Sequence, residues 1–178
     1  MEFFQKMKGI TKSPPMTSLL EILLSWAGGI LGISTVVFLN DYYVAAAGRL
    51  LVIASFGASA VLIFGAIKSP LAQPRNLVGG HIISALVGVT IFKLLSPCMW
   101  LAAGVAVGTA IAAMHATKTL HPPAGATSLI AVIGGAKIHA MGYFYVLMPV
   151  GAGALILLIV ALIFNNIPKT RRYPEYWI

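Results

Sequence analysis

Apolar residues in this chain come in long runs, separated by short polar clusters. Six runs can be drawn, at 19–39, 50–67, 77–95, 99–114, 122–135 and 143–164. A helix that crosses a bilayer needs about 20 residues, within a range of about 17–25. Segments one, two, three and six reach that length and segment four is marginal. Segment five is too short and opens on two prolines. Segment two is long enough but is interrupted by Ser55-Phe56-Gly57-Ala58-Ser59. The runs do not alternate apolar with polar positions, as the roughly 10-residue strands of a membrane barrel do. Inside lipid the backbone must satisfy its hydrogen bonds within the segment, which leaves helices. The pattern predicts an all-α polytopic membrane protein of about six transmembrane segments, with segments two and five broken.

Composition agrees. Of 178 residues, 9% are charged and 59% hydrophobic, where soluble domains carry about 25% charged residues. So few charges cannot cover a water-facing surface. The loops are short, so 1–178 reads as one membrane domain with tails at 1–18 and 165–178. The first apolar run is too long for a cleaved signal and has no small-residue cleavage site, so it reads as a retained helix. A bacterial inner membrane is the expected location.

The charge of +8 sits in scattered loops and at both ends, not in a patch with interleaved aromatics, so nucleic acid is not an expected partner. If all six segments cross, Lys6, Lys8, Lys12, Lys68, Arg75, Lys118, Lys169, Arg171 and Arg172 share one face, nine cations against Arg49, Lys93 and Lys137. If segments two and five are re-entrant, the split falls to seven against five. Cytoplasmic loops collect Lys and Arg, which favours six crossings with both termini cytoplasmic. Arg171, Arg172, Tyr173, Tyr176 and Trp177 then read as an interfacial anchor. Glu21, within a turn of the start of segment one, is expected to reach back to the interface. Cys98 is the only cysteine, and the four histidines show no metal-ligand spacing. No metal or cofactor is expected.

The two interruptions resemble each other. Gly57-Ala58-Ser59-Ala60-Val61-Leu62-Ile63 lies 68 residues before Gly125-Ala126-Thr127-Ser128-Leu129-Ile130-Ala131. At that offset segment three falls within segment six. Segment one can be laid on segment four by matching Trp26-Ala27-Gly28-Gly29 to Trp100-Leu101-Ala102-Ala103. The division is three plus three, with repeat one at about 19–95 and repeat two at about 99–164. An odd number of crossings per repeat inserts the halves in opposite orientations, the inverted plan of many transporters. Gly, Ala and Ser also make ordinary helix-packing faces, and that reading stays open.

Proline is favoured in the first helical turn and hostile to the interior, so Pro122-Pro123 marks a helix start. The N–H groups of Gly125, Ala126 and Thr127 are expected to point out of that start, with Thr127 and Ser128 adding hydroxyls. Ser55, Gly57, Ala58 and Ser59 repeat the arrangement in segment two. A helix N-terminus binds anions without a cation, so two facing starts predict a pocket for one small anion near the midplane. His121 is either an interfacial cap or a gate that titrates near neutral pH. Lys118, Arg75 and Asn76 are placed with it as candidates at the mouth, with Lys118 also readable as positive-inside sequence and Arg75 as a solvated loop residue. Asn76 is also a candidate cap for segment three, and Arg75 a candidate to cross to the segment-five mouth. A Gly-rich face on segment one (Gly28, Gly29, Gly32) suits packing against a second copy.

The residues His121-Pro122-Pro123-Ala124-Gly125-Ala126-Thr127 resemble the signature of the HPP family of integral membrane proteins. Phe56-Gly57-Ala58-Ser59-Ala60-Val61, 69–77 and Gly79-Gly80-His81 also resemble blocks of that family. The likeness runs from about Leu19 to Trp177. The family is usually described as four-helix, which departs from six segments at the two interruptions. Some plastid and cyanobacterial members are associated with nitrite transport. The resemblance therefore implies transport of a nitrite-type anion. Many members carry a C-terminal regulatory domain, which this chain, ending soon after segment six, is expected to lack. The competing reading is a scaffold or regulatory subunit without cargo. An intramembrane enzyme would need a nucleophile–base pair or acidic dyad, but Glu2, Glu21, Asp41 and Glu175 all lie near ends or loops.

Overall fold

The computed structural model describes residues 2–45, 48 and 51–178. Arg49 and Leu50, which entered the charge count and the start of segment two, lie outside the described residues. Among those described, the regular structure is all helical, in the order α1 (Glu2–Gln5), α2 (Leu19–Leu39), α3 (Ser55–Ala60), α4 (Gly80–Leu95), α5 (Met99–Ala116), α6 (Pro122–Ile133), α7 (Ala136–Met141) and α8 (Ala152–Asn165). Wider-wound turns extend four of them, at Asn40–Val44, Val61–Gly65, Arg75–Gly79 and Val146–Gly151.

Four helical stretches are long and apolar enough to cross a membrane: Leu19–Val44, Arg75–Leu95, Met99–Ala116 and Val146–Asn165. They are the cores of segments one, three, four and six. Segments two and five become the two shorter apolar helices, Ser55–Gly65 and Pro122–Ile133. Twelve residues of α6 rise only about 18 Å, against a hydrocarbon core of about 30 Å.

Local chemistry explains the ends. Ser18 caps α2 by accepting the Glu21 N–H at 3.3 Å. His121 is extended and the two prolines fill the first positions of α6, as their fixed φ requires.

α4 packs on α5 and α6, and α5 on α6. α8 packs on α2 and on the turn after α3, and α3 touches α6. Glycines permit the close approaches. A Cβ on Gly28 or Gly32 would strike the Phe64 ring at 2.6 and 2.5 Å. A Cβ on Gly88 would meet the Ser128 carbonyl at 2.5 Å. Two of the three segment-one glycines expected to face a second copy are thus spent on Phe64, and only Gly29 is open.

The stretches 66–79, 117–121 and 166–178 gather at one end. Arg171 pairs with Glu21 at 2.8 Å. The Tyr173 and Tyr176 hydroxyls donate to the carbonyls of Ala72 and Pro70. Arg75 and Asn76 donate to the carbonyls of Thr117 and Leu120. The stretch between α3 and α4 therefore lies beside the C-terminal tail, so the chain has returned to the tail end after segment two. Lys68, Arg75, Lys118, Lys169, Arg171 and Arg172 all belong to segments that meet there. Lys93 lies at the far end of α4, 5.3 Å over the Tyr143 ring.

Two expectations for the tail region change. Arg171 is not a headgroup anchor but a buried residue, 6% exposed. Glu21 does not reach for the interface but holds that guanidinium.

Candidate functional site

Ser55 and Ser59 lie one turn apart on α3, on the face turned to the interior. Thr127 lies on the inward face of α6, and His121 directly precedes that helix. Gly80 and His81 open α4. A Cβ on Gly80 would strike the Thr119 carbonyl at 2.7 Å and the His121 Cβ at 2.8 Å. Glycine there lets α4 lie against the 119–121 stretch, which brings His81 to His121. The two rings stand edge to face with centroids 5.1 Å apart. Ser55 is 2% exposed, and Ser59, His81, His121 and Thr127 are wholly buried.

Buried polar groups need partners, and these have them. Ser59 Oγ lies 2.8 Å from His81 Nε2 and 3.0 Å from His121 Nε2. Thr127 Oγ1 lies 2.7 Å from His81 Nδ1 and 2.9 Å from Ser55 Oγ. His121 Nδ1 lies 2.8 Å from the Leu71 carbonyl. The Tyr145 hydroxyl donates to the Thr127 carbonyl at 3.1 Å.

The Leu71 end sets the direction of the chain. A carbonyl only accepts, so His121 Nδ1 carries the hydrogen, and Nε2 of the neutral ring holds a lone pair. Ser59 then donates to His121 Nε2 and accepts from His81 Nε2–H. His81 Nδ1 is left to accept from the Thr127 hydroxyl, and Thr127 accepts from Ser55. One carbonyl thus assigns both imidazole tautomers and three hydroxyl directions.

The residues expected to bind divide in two. Ser55, Ser59 and Thr127 join this network, with His121 at its end. Pro123 and Ser128 are buried beside it, but Ser128 donates to its own helix, to the Gly125 carbonyl. Gly57, Ala58, Pro122 and Ala126 face outward, and Gly125 is half-buried. Pro122, Gly125 and Ala126 border an apolar groove of about 510 Å³ that α5 lines with Val107 and Ile111.

The backbone donors also differ from expectation. Phe56 and Gly57 N–H donate to the Ile53 and Ala54 carbonyls, and Ala124 N–H to the His121 carbonyl. Pro122 and Pro123 have no N–H to give, and by Ala126 and Thr127 the helix is past its unpaired first turn. The polar groups that converge in the interior belong to side chains.

At the mouth, Arg75 does reach the segment that leads into α6, donating to Thr117 at 2.8 Å. Asn76 caps no helix. It holds the Leu120 carbonyl, and its Oδ1 is buried without a partner. Lys118 is exposed, at a positive φ of 56°. His115 is exposed as well. Among the described residues, no three of His, Cys, Asp and Glu come together as a metal site would need.

His81 is the residue that sequence reasoning passed over. It was visible only as the end of Gly79-Gly80-His81, and its partners lie 22 and 46 residues away.

Known proteins place the chain. Two transmembrane proteins of Dictyostelium discoideum are similar to it. One is 45% identical over 180 residues, covering 99% of this chain and 58% of its own length. The other is 41% identical over 182 residues, covering 99% of this chain and 64% of its own. The chain thus spans about three-fifths of the length of these relatives. Their eukaryotic source gives the expected bacterial inner membrane no support. No solved structure matches. A family model described as "HPP, transmembrane region" matches residues 14–174, nearly the whole sequence, and the chain belongs to that family.

Proposed function

We propose that the protein carries a small monovalent anion across a membrane, with nitrite the favoured cargo. The observation that carries this reading is the cluster where α3 and α6 meet. It is polar, buried, and free of carboxylates, and it sits inside a body of apolar helices. An intramembrane polar site is costly to keep and is commonly functional. Hydroxyl and imidazole groups hydrogen-bond an anion, whereas a nearby carboxylate would repel it. Ser55, Ser59, Thr127, His81 and His121 form the proposed site, in place of backbone N–H groups. Arg75 and Lys118 stand at the approach and draw anions towards it.

An inverted repeat fits this reading. α2 meets the α3 segment as α5 meets α6. α4 lies on the helices of the second half as α8 lies on those of the first. The 68-residue offset carries 55–65 onto 123–133, which is α6 less its first residue. The short helices are then broken ones, meeting at the repeat interface where transporters place their sites. Both termini on the cytoplasmic side agrees with the cations gathered at the tail end. Full burial of the cluster suits an occluded carrier better than an open pore.

Purified protein in liposomes, offered nitrite, nitrate, formate and chloride, tests the proposal. Nitrite entry above the rate of protein-free vesicles is the expected result. A folded protein that moves none of the four leaves the scaffold reading in its place.

A further inference from the structure

The histidine cluster has a second hydrogen-bonded arrangement built into it. Besides its two imidazole contacts, Ser59 Oγ lies 3.3 Å from the carbonyl of Ser55, one turn back on α3. A serine hydroxyl in a helix commonly donates to that carbonyl. In the neutral network Ser59 must turn its hydrogen to His121 Nε2, because nothing else among the described residues satisfies that lone pair. Put one proton on Nε2 and the requirement reverses. Ser59 then accepts from both imidazoles with its two lone pairs and donates to the Ser55 carbonyl. Every group keeps a partner in both states, and the only movement is the rotation of one hydroxyl.

The same addition at His81 fails. With Nδ1 protonated, Thr127 must accept from it, and whichever way the Ser55–Thr127 bond then runs, one hydroxyl hydrogen of that pair is left over. Among the described residues that hydrogen has no acceptor, since the Ser55 hydroxyl bonds only Thr127, and the Thr127 hydroxyl only Ser55 and His81. An orphaned buried hydroxyl is unfavourable. The geometry distinguishes the rings, with His121 as the proton site and His81 and Ser59 as positioning residues.

The charge balance says what must come with that proton. A buried imidazolium without a counter-charge is costly. Among the described residues, His81 on α4 stands against the His121 ring, and the other titratable or charged groups on the surrounding elements are Arg75 before α4, His115 at the end of α5, Lys118 just after it and Tyr145 before α8. None is a carboxylate. Of the four acidic residues, Glu2 opens α1 at the N-terminus, Glu21 is engaged by Arg171, Asp41 accepts from Asn40, and Glu175 follows in the tail, anchored through its N–H to Gln73. Among the described residues no carboxylate is bonded into the cluster, so the cargo has to supply the anion. An anion there without the proton is equally uncompensated. Each ligand favours the other, and such coupling is reciprocal.

We propose that His121 takes up one proton with each anion, so that proton and anion cross the membrane together, one for one. The Nε2–H bond forms from the ring lone pair, with a proton drawn from the side the site faces, and breaks on release to the other side. This inference rests on the transport reading above and adds the coupled ion.

The test uses the full chain in vesicles of phosphatidylcholine and phosphatidylglycerol, with a luminal pH dye and the membrane potential clamped by valinomycin and potassium. It is run near pH 8, where little undissociated nitrous acid leaks through lipid, and protein-free vesicles are subtracted. Nitrite uptake is expected to acidify the lumen by one proton per nitrite. An inward proton gradient should concentrate nitrite about tenfold per pH unit. Ser59→Ala keeps both imidazoles but removes the rotor, and is expected to lower the ratio of protons to nitrite. Nitrite flux that leaves luminal pH unmoved and responds to membrane potential overturns the coupling alone. Absence of flux for every anion overturns the transport reading and the coupling with it. Nitrogen NMR of ¹⁵N-histidine protein in nanodiscs gives a readout that needs no transport. Nitrite is expected to raise the pH at which the His121 ring becomes doubly protonated, with the His81 ring following less. No shift with nitrite overturns the inference.

Discussion

Two buried polar clusters hold this apolar body together, and they are built on opposite principles. At the tail end, Arg171 donates to Glu21 Oε2 from Nε and Nη2, to the carbonyls of Glu21 and Phe64, to Asn165 Oδ1 and to Ser25 Oγ. Guanidinium keeps its charge at any ordinary pH and its fork is planar and fixed, so this arrangement has one state. Between α3, α4 and α6 the groups are neutral, and three hydroxyls and two imidazoles can exchange donor and acceptor roles. The first cluster ties the tail to the start of α2, the turn after α3 and the end of α8. The second leaves α3 and α6 joined by bonds that can change direction without being lost. Fixed charge suits an anchor, and neutral amphoteric groups suit a site that has to change occupancy.

The largest expected effect comes from breaking the anchor. Arg171→Ala removes five N–H donors that share six contacts and leaves the Glu21 carboxylate without its partner. Removing one member of a buried pair costs about 3–5 kcal/mol, and the low end applies because the Glu21 side chain is 34% exposed. Thermal unfolding in detergent should show the loss, and Arg171→Lys should recover only part of it, because an ammonium cannot span the same acceptors. Stability unchanged by Arg171→Ala would mean that the tail is laid on the bundle without holding it.

Breaking the second cluster is expected to cost less in stability and more in function. Ser59→Ala orphans one imidazole N–H and one lone pair, a loss of about 1–3 kcal/mol. The same unfolding measurement sharpens the contrast: Arg171→Ala should lower stability more, while Ser59→Ala should lower the coupling of proton to anion more. The reverse order would dissolve the division between anchor and site.

Much of this was legible in the sequence, and the limits are physical. Segment one, 19–39, coincides with α2 because the Ser18 cap and a long, mainly apolar run act locally. The proline pair marks the start of α6 for the same reason. Segments three and six begin less cleanly, since the wider turns at Arg75–Gly79 and Val146–Gly151 answer to packing and not to propensity. The candidate site was half visible. Ser55, Ser59, Thr127 and His121 sit in the repeated motif and its proline start, but the inference from helix starts to free N–H groups overlooked that the prolines occupy those places. His81 and Arg171 stayed hidden. Their partners lie up to 46 and 150 residues away, and nothing in the local sequence names a partner at that range.

Tyr173 belongs to the anchor and supplies a pH test. Burial pushes its phenol above the ordinary value of 10.0, and its hydroxyl donates to Ala72 at 2.7 Å. The folded state therefore resists ionisation, while the unfolded chain ionises freely. The sign follows from that: the contribution of Tyr173 is whole below about pH 10 and is lost as pH rises further. Tyr173→Phe should cost about 1 kcal/mol at neutral pH through the lost hydrogen bond and flatten the alkaline fall. An alkaline fall as steep in Tyr173→Phe as in the parent chain would assign it to another group.

The smallest effect concerns the outer face of α3, behind the cluster. Gly57 stands inside the helical run, faces outward, and has no heavy atom within 4 Å of where a Cβ would lie. Alanine is favoured over glycine in a helix interior by up to about 1 kcal/mol. Gly57→Ala should therefore leave unfolding unchanged or raise its midpoint slightly. Gly88→Ala is the control, because its Cβ would enter the contact with Ser128 and Ala131 between α4 and α6 and lower stability. Were Gly57→Ala as damaging as Gly88→Ala, the outer face of α3 would be buried against something that this chain alone does not supply. Glycine at 57 would then be read as an interface residue, not as part of the site on the opposite side of its helix.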